Sequence, residues 1–274
     1  DEKIFSFLHL SFGQEAVAVG VNMALDQHDI MLGNHRSHGH YLAKGGNLES
    51  MVYEIFGDER GCCKGFGGSM HMLDRSVGFT GSTPILGSVA PIAVGQAFAN
   101  RISNQEVVTV VFVGDGAAEE GVFMESVNLA ANKKCKIIFV IEDNNYAVNS
   151  NHLHRKSESY NHEKIFKGLG AQYLYAKTQN VREIEEVTSE ARKAAERTGP
   201  VVLHLVTQRL HSHSGPILES DTLSYRGLDT IESRQALDCI KVSKEAAALQ
   251  DHSKSEIESW EITETSQTLA ELNS

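Results

Sequence analysis

The chain is 274 residues long with 41% hydrophobic and 22% charged residues, a globular balance that furnishes the core of one large domain or two modest ones. Its formal charge of −11, with no stripe of Lys and Arg to neutralise phosphates, excludes a nucleic-acid footprint and points to small molecules or proteins as partners. Apolar runs reach about five to seven residues against the roughly 20 that span a bilayer, and the opening DEKIFSFLHL has neither the basic region nor the small-residue cleavage site of a signal peptide, so no membrane association and a cytoplasmic setting are expected.

In chain order, residues 13–25, 47–57 and 89–102 read as helices separated by glycine-rich and histidine-rich loops. Cys62 and Cys63 fall in one such loop; with Cys135 and Cys239 they form neither a disulfide framework nor a CxxC metal motif, and all four are expected to be reduced thiols. Residues 107–113 are continuous and β-branched, as suits a strand buried on both faces, and residues 119–133 then place Val122, Ser126, Leu129 and Ala130 at helical spacing. Strand signals recur at 136–142, 172–177 and 200–207, with an amphipathic helix over 181–198. This alternation predicts an α/β fold, a parallel sheet with helices on both faces. Helix-forming, charge-rich segments at 234–250 and 255–273 are expected to make a C-terminal helical extension, residues 229–274, packed on a domain spanning 1–228.

Two short motifs stand at strand ends: Gly114-Asp115-Gly116 after the strand at 107–113, and Asp143-Asn144-Asn145 after that at 136–142. Either alone reads as a tight turn. In an open parallel sheet, however, ligands sit beyond the carboxyl ends of the strands, so the two should converge. The glycines let backbone approach an anion, and the following helix start offers N–H groups to a phosphate. Asp115 then supplies a carboxylate oxygen, Asn144 an amide oxygen and a nearby carbonyl a third, a hard-oxygen set suited to magnesium. Together they read as a magnesium diphosphate site. The run His35-Arg-Ser-His38-Gly-His40 lacks carboxylate or thiolate companions and reads as a poor zinc site, and the histidines at 152, 154 and 162 carry no assigned role.

The blocks HLSFGQEAVAVGV, HRSHGHYLAKGG, GCCKGFGGSMHM, GSTPILGSVAPIAVGQAFA and GDGAAEEGVFMESVNLA, in that order over residues 9–214, resemble the alpha subunit of the first component of 2-oxo acid dehydrogenase complexes, the thiamine diphosphate-dependent decarboxylase of the pyruvate, branched-chain and acetoin systems. The resemblance implies magnesium ligation by Asp115, Asn144 and the Tyr146 carbonyl. It implies diphosphate contacts from Gly114, Gly116, Ala117 and Arg36, with His35 where that family often has tyrosine. Gly87 and the backbone of Val89 and Ala90 would lie against the aminopyrimidine, Arg209 would hold a loop near the phosphates, and His9 and His213 would face the reactive end as catalytic groups. The family's ring-activating glutamate belongs to a separate beta subunit, and Glu119, Glu120 and Glu125 are on the wrong helix to replace it. A heterotetramer of two alpha and two beta chains is therefore implied, acting on a 2-oxo acid or an acetoin-like substrate, with a lipoyl domain as a possible acceptor. The alternatives are a thiamine-dependent carboligase or transketolase-like half-enzyme and a non-catalytic, cofactor-binding subunit. The chain departs from the pattern at Asp143, where that family has the first of two asparagines, and at the Gly-Pro after Ser214, a place phosphorylated in some relatives and expected to be unregulated here.

Overall fold

The computed structural model describes residues 6–215 and 235–248, together with residues 4, 225, 233 and 259. Its elements run α1 (Glu15–Met23), β1 (Ile30–Gly33), α2 (His38–Ala43), α3 (Leu48–Ile55), β2 (Phe79–Ser82), α4 (Val89–Ile102), β3 (Thr109–Gly114), α5 (Gly121–Asn132), β4 (Ile137–Asp143), β5 (Tyr146–Ala147), β6 (Ser150–Asn151), α6 (His162–Gly168), β7 (Gln172–Lys177), α7 (Val181–Thr198), β8 (Val201–Val206) and α8 (Cys239–Ala248). Six strands form one sheet in the order β2-β1-β3-β4-β8-β7, every pair parallel, while β5 and β6 make a small antiparallel hairpin.

The strand sequences explain the layering. Because successive side chains alternate faces, Val110, Phe112, Ile138, Val140 and Leu203 point to one side and Val111, Val113, Phe139, Ile141 and Val202 to the other, all fully buried. The first set packs on Val17 and Val21 of α1 and on Ile184, Ala191 and Ala195 of α7. The second packs on Ala93 and Ala97 of α4, Phe123 and Val127 of α5 and Phe166 of α6. Gly20 lets α1 lie against α7: an added Cβ would meet the Val181 carbonyl oxygen at 2.7 Å and Ile184 Cβ at 2.8 Å. Helix α7 starts where the Asn180 side chain accepts from the Arg182 N–H at 3.0 Å and stops at Gly199, whose φ of 105° favours glycine.

The expected strands at 107–113, 136–142, 172–177 and 200–207 correspond to β3, β4, β7 and β8. Strand β7 lies at the sheet edge and leaves Tyr175 half exposed. Strands β1 and β2 were not anticipated: IMLG and FTGS are four residues each, too short to carry a period. Helix α8 packs on α1 and α7, with the Cys239 thiol 3.1 Å from the Glu15 carboxylate. The predicted helix at 255–273 lies outside the described residues except for Ser259. All four cysteines are unbridged, and no helix among the described residues is long and apolar enough to cross a membrane.

Candidate active site

The chain runs outward from β1 to β2, then returns past β1 to lay down β3 and β4. The winding therefore reverses between β1 and β3, and a crevice opens beyond the carboxyl ends at such a switch point. Four loops meet there. Asn34, His35 and Arg36 follow β1; Asp115, Gly116 and Ala117 follow β3; Asn144 and Tyr146 follow β4; Arg209 and His213 follow β8; all line one cleft, with Gly114 at its floor. Gln14, just before α1, and Leu86 line it too.

Asp115 is 2% exposed, and burial, reinforced by the nearby Asp143 carboxylate, raises its pKa against the opposing pull of Arg155. Arg155 forms an ion pair with Asp115 and a second with Glu119 at 3.3 Å, where Lys156 also reaches Glu119 at 3.3 Å. Asn144 donates its amide to Gln14 Oε1 at 3.0 Å, while its oxygen accepts from the Tyr146 N–H at 3.2 Å. Asp143 points elsewhere. It accepts from the Asn145 N–H at 2.9 Å and pairs with His204 at 2.8 Å; burial pushes its carboxyl up, but the His204 partner and the backbone donor outweigh this and hold it at about 2.

Arg36 is 6% exposed and clasps two other segments: it donates to the Leu10 carbonyl at 2.6 Å and to the His213 carbonyl at 3.1 Å. Its own loop is pinned by Asn34, whose side-chain oxygen accepts from the Arg36 N–H at 2.8 Å and whose amide donates to Glu142 at 2.7 Å. Glu142 also holds His40 at 2.9 Å, and that ring stacks on Phe112 at 3.9 Å. Arg209, 1% exposed, donates to the Val148 carbonyl at 3.0 Å and lies 5.8 Å over the Tyr146 ring. Val148 has φ 55°, an unfavourable conformation for a β-branched residue, and this contact helps to hold it.

His9, His35 and His213 come together at one end of the cleft, with ring centroids 4.7 Å, 4.9 Å and 5.4 Å apart. Burial first, and the Arg36 charge second, push their pKa values down to about 4, about 2 and about 4. All three imidazoles are thus neutral near pH 7. His38 and His40 do not join them: His38 bonds Ser69 at 2.8 Å, so the run at 35–40 is not one cluster. Gly87, Val89 and Ala90 do not line the cleft either. Val89 and Ala90 begin α4 and are buried in the core behind it, and only the neighbouring Leu86 reaches the cleft wall.

Sequence reasoning missed Gln14, Asn34, Glu142 and Arg155. Glu142 was the findable one, since a carboxylate in the buried register of IIFVIED requires partners. The donor set fits a magnesium diphosphate. Asp115, the Asn144 amide oxygen and the Tyr146 carbonyl are hard oxygens, and Asp115 already holds a cation, Arg155. Gly116 faces Ala147 and Arg155 with room only for a hydrogen, since a Cβ there would lie 2.7 Å from Ala147 Cβ. Gln14 Nε2 is buried with no hydrogen-bond partner among the described residues, a donor suited to an anionic oxygen.

The sequence model of the family described as dehydrogenase E1 component matches residues 1–271. The chain is 36% identical over 239 residues to the alpha subunit of acetoin:2,6-dichlorophenolindophenol oxidoreductase from Cupriavidus necator, covering 86% of this chain and 70% of that one. It is 36% identical to chloroplastic pyruvate dehydrogenase E1 component subunit alpha-3 of Arabidopsis thaliana, covering 77% of this chain and 51% of that one. With the pyruvate dehydrogenase E1 component subunit alpha of Rhizobium meliloti the identity is 34%, over 85% of this chain and 66% of that one. The chain thus spans about half to two thirds of the length of several relatives it matches. A match over nearly the whole sequence, joined to identities of 34–36% with alpha subunits of which the chain covers up to 70%, leads to one conclusion: the chain belongs to the dehydrogenase E1 component family, among its alpha subunits.

Proposed function

We propose that this chain is the diphosphate-binding subunit of a thiamine diphosphate- and magnesium-dependent dehydrogenase of a 2-oxo acid or acetoin, and that a beta-type chain completes each active site in a heterotetramer. The observation that carries the reading is the convergence of Asp115, Asn144, Tyr146, Gly116 and Arg36 on one cleft from three strand ends. Asp115, the Asn144 amide oxygen and the Tyr146 carbonyl would hold the metal. Gly116, Ala117 and the buried Gln14 amide would meet the diphosphate, with the Arg36 and Arg209 guanidiniums supplying charge.

When bound, the cofactor supplies the carbanion chemistry and electron sink that release carbon dioxide from a 2-oxo acid. This chain supplies position and proton handling. Its cleft-end histidines are neutral, and His9 Nδ1 is buried without a partner among the described residues, which leaves a ring nitrogen to hydrogen-bond the reacting group and pass its proton on. Among the described residues no glutamate of the wall is placed to engage the cofactor's ring: Glu119 is tied to Arg155 and Lys156, Glu120 and Glu125 are exposed, and Glu142 is spent on Asn34 and His40. Ile85, Ile92 and Leu129, on and before the mutually packed α4 and α5, are 67%, 55% and 48% exposed, which supports a covering partner chain.

Native mass spectrometry of the chain captured from its own cells tests this. A complex of two copies with two of a second subunit, carrying thiamine diphosphate and magnesium, is expected. A loaded homo-oligomer with no second protein overturns the half-site reading and brings forward a carboligase, which makes a carbon–carbon bond without an oxidant.

A further inference from the structure

We propose that His9, His35 and His213 form a three-histidine site for a divalent transition-metal cation of the zinc class, distinct from the oxygen-donor set around Asp115. The three rings arrive from separate segments, before α1, after β1 and after β8, and Arg36 draws them together through the carbonyls of Leu10 and His213. One ring nitrogen of each lies within 4.8 Å of those of the other two. A tetrahedral zinc with Zn–N bonds of about 2.0–2.1 Å spaces its ligand nitrogens about 3.4 Å apart, so ring rotations that close the set by up to about 1.4 Å complete it.

The nitrogens are available. His9 is 8% exposed, and its Nδ1 and both ring nitrogens of His35 are buried without a hydrogen-bond partner among the described residues. Such atoms carry a desolvation cost that a bound cation removes. The imidazoles are held neutral by burial, which is the form that ligates.

Ligand chemistry separates the two sites. Imidazole suits zinc, copper and nickel, whereas carboxylate and carbonyl oxygens suit magnesium. Three neutral histidines leave a fourth position open, and the Arg36 and Arg209 charges beside His9 and His213 favour an anion there, hydroxide or a carboxylate. The other cluster with metal-ligand composition, Glu54 with Cys62 and Cys63, is already committed: the Glu54 carboxylate accepts four backbone N–H groups. On the functional reading above, a zinc ion at His9 and His213 occupies the lone pairs that handle protons, so zinc inhibits; binding itself does not rest on that reading.

The test is titration of the metal-free full chain with zinc against a chromogenic chelator, and with cobalt(II) followed by visible absorption, both without cofactor or substrate. One equivalent is expected, with a cobalt spectrum of low coordination number and no thiolate charge-transfer band. His35→Phe and His9→Gln should each weaken zinc binding by at least about tenfold, while Cys63→Ser and Asp115→Asn leave it unchanged. Undiminished affinity in both histidine variants, a thiolate band or a six-coordinate cobalt spectrum in the unsubstituted chain, or no bound equivalent overturns the proposal.

Discussion

At the scale of single residues, the cleft is governed by how buried charges are compensated. Asp115 is buried beside a second carboxylate, and Arg155 is what neutralises it here. On the proposed reading a metal ion at the same carboxylate would take over that task, so two substitutions should part company. Asp115→Ala should abolish magnesium-dependent binding of thiamine diphosphate in titration calorimetry; normal binding would remove the metal assignment. Arg155→Met leaves Asp115 charged, buried and unpaired, and without magnesium should cost about 1–3 kcal/mol of stability. Magnesium should restore more of its melting temperature than it adds to the unsubstituted chain, and an equal increment in both would show that the ion and Arg155 do not share Asp115. The place of Asp115 at the strand end was legible from the sequence because its glycine flanks and preceding apolar strand are local signals. Arg155 lies 40 residues away in a polar loop and carries no such signal.

At the scale of elements, loops here are built around buried side chains. Glu54, on α3 and fully buried, takes the N–H groups of Cys63 and Gly65 on one carboxylate oxygen, at 2.6 Å and 3.0 Å, and those of Gly67 and Gly68 on the other, at 2.6 Å and 3.1 Å. The loop that wraps it displays Phe66 at 93% exposure. Glu54→Gln replaces one accepting oxygen by an amide that faces two donors, and should cost about 2–4 kcal/mol. Hydrogen exchange should quicken at residues 63–68 while the β3 and β4 amides stay protected; unchanged exchange in the loop would show that the carboxylate does not organise it. The glycines of GCCKGFGG were legible as a turn-rich loop, but its organising group is a residue of the preceding helix, outside the motif. Strands β1 and β2 were lost for a related reason: four-residue strands draw their stability from neighbours rather than from their own pattern.

At the scale of the whole molecule, burial of histidines sets the response to acid. Burial lowers His38 to about 4, helped by the charges of Arg36 and His40 and opposed by its hydrogen bond to Ser69, and burial with the Lys156 charge lowers His162 to about 3. Both folded values lie below the ordinary 6.5, so below that pH the unfolded chain binds protons that the folded chain refuses. Stability is full above about pH 6.5 and falls as the pH drops toward about 4, a window above the carboxylate range, with the cleft-end histidines acting in the same direction. Thermal midpoints measured from about pH 7 to about pH 4 should decline, and His162→Phe, which keeps the stack on Phe166, should flatten the decline. An unchanged slope in that variant would acquit His162.

The sequence by itself determined the alternation of strands and helices, the parallel sheet and the two strand-end motifs, because each is written in short-range periodicity or in residue types with narrow conformational and ligand preferences. Only the tertiary structure decided that β1 would insert beside β3 and carry Arg36 and His35 to Asp115, that Glu142 would lock this loop through Asn34 and His40, and that His9, His35 and His213 would meet. Those arrangements depend on which strands become neighbours and on which buried polar groups find one another, and packing and desolvation settle both across distances in the chain that no local pattern encodes.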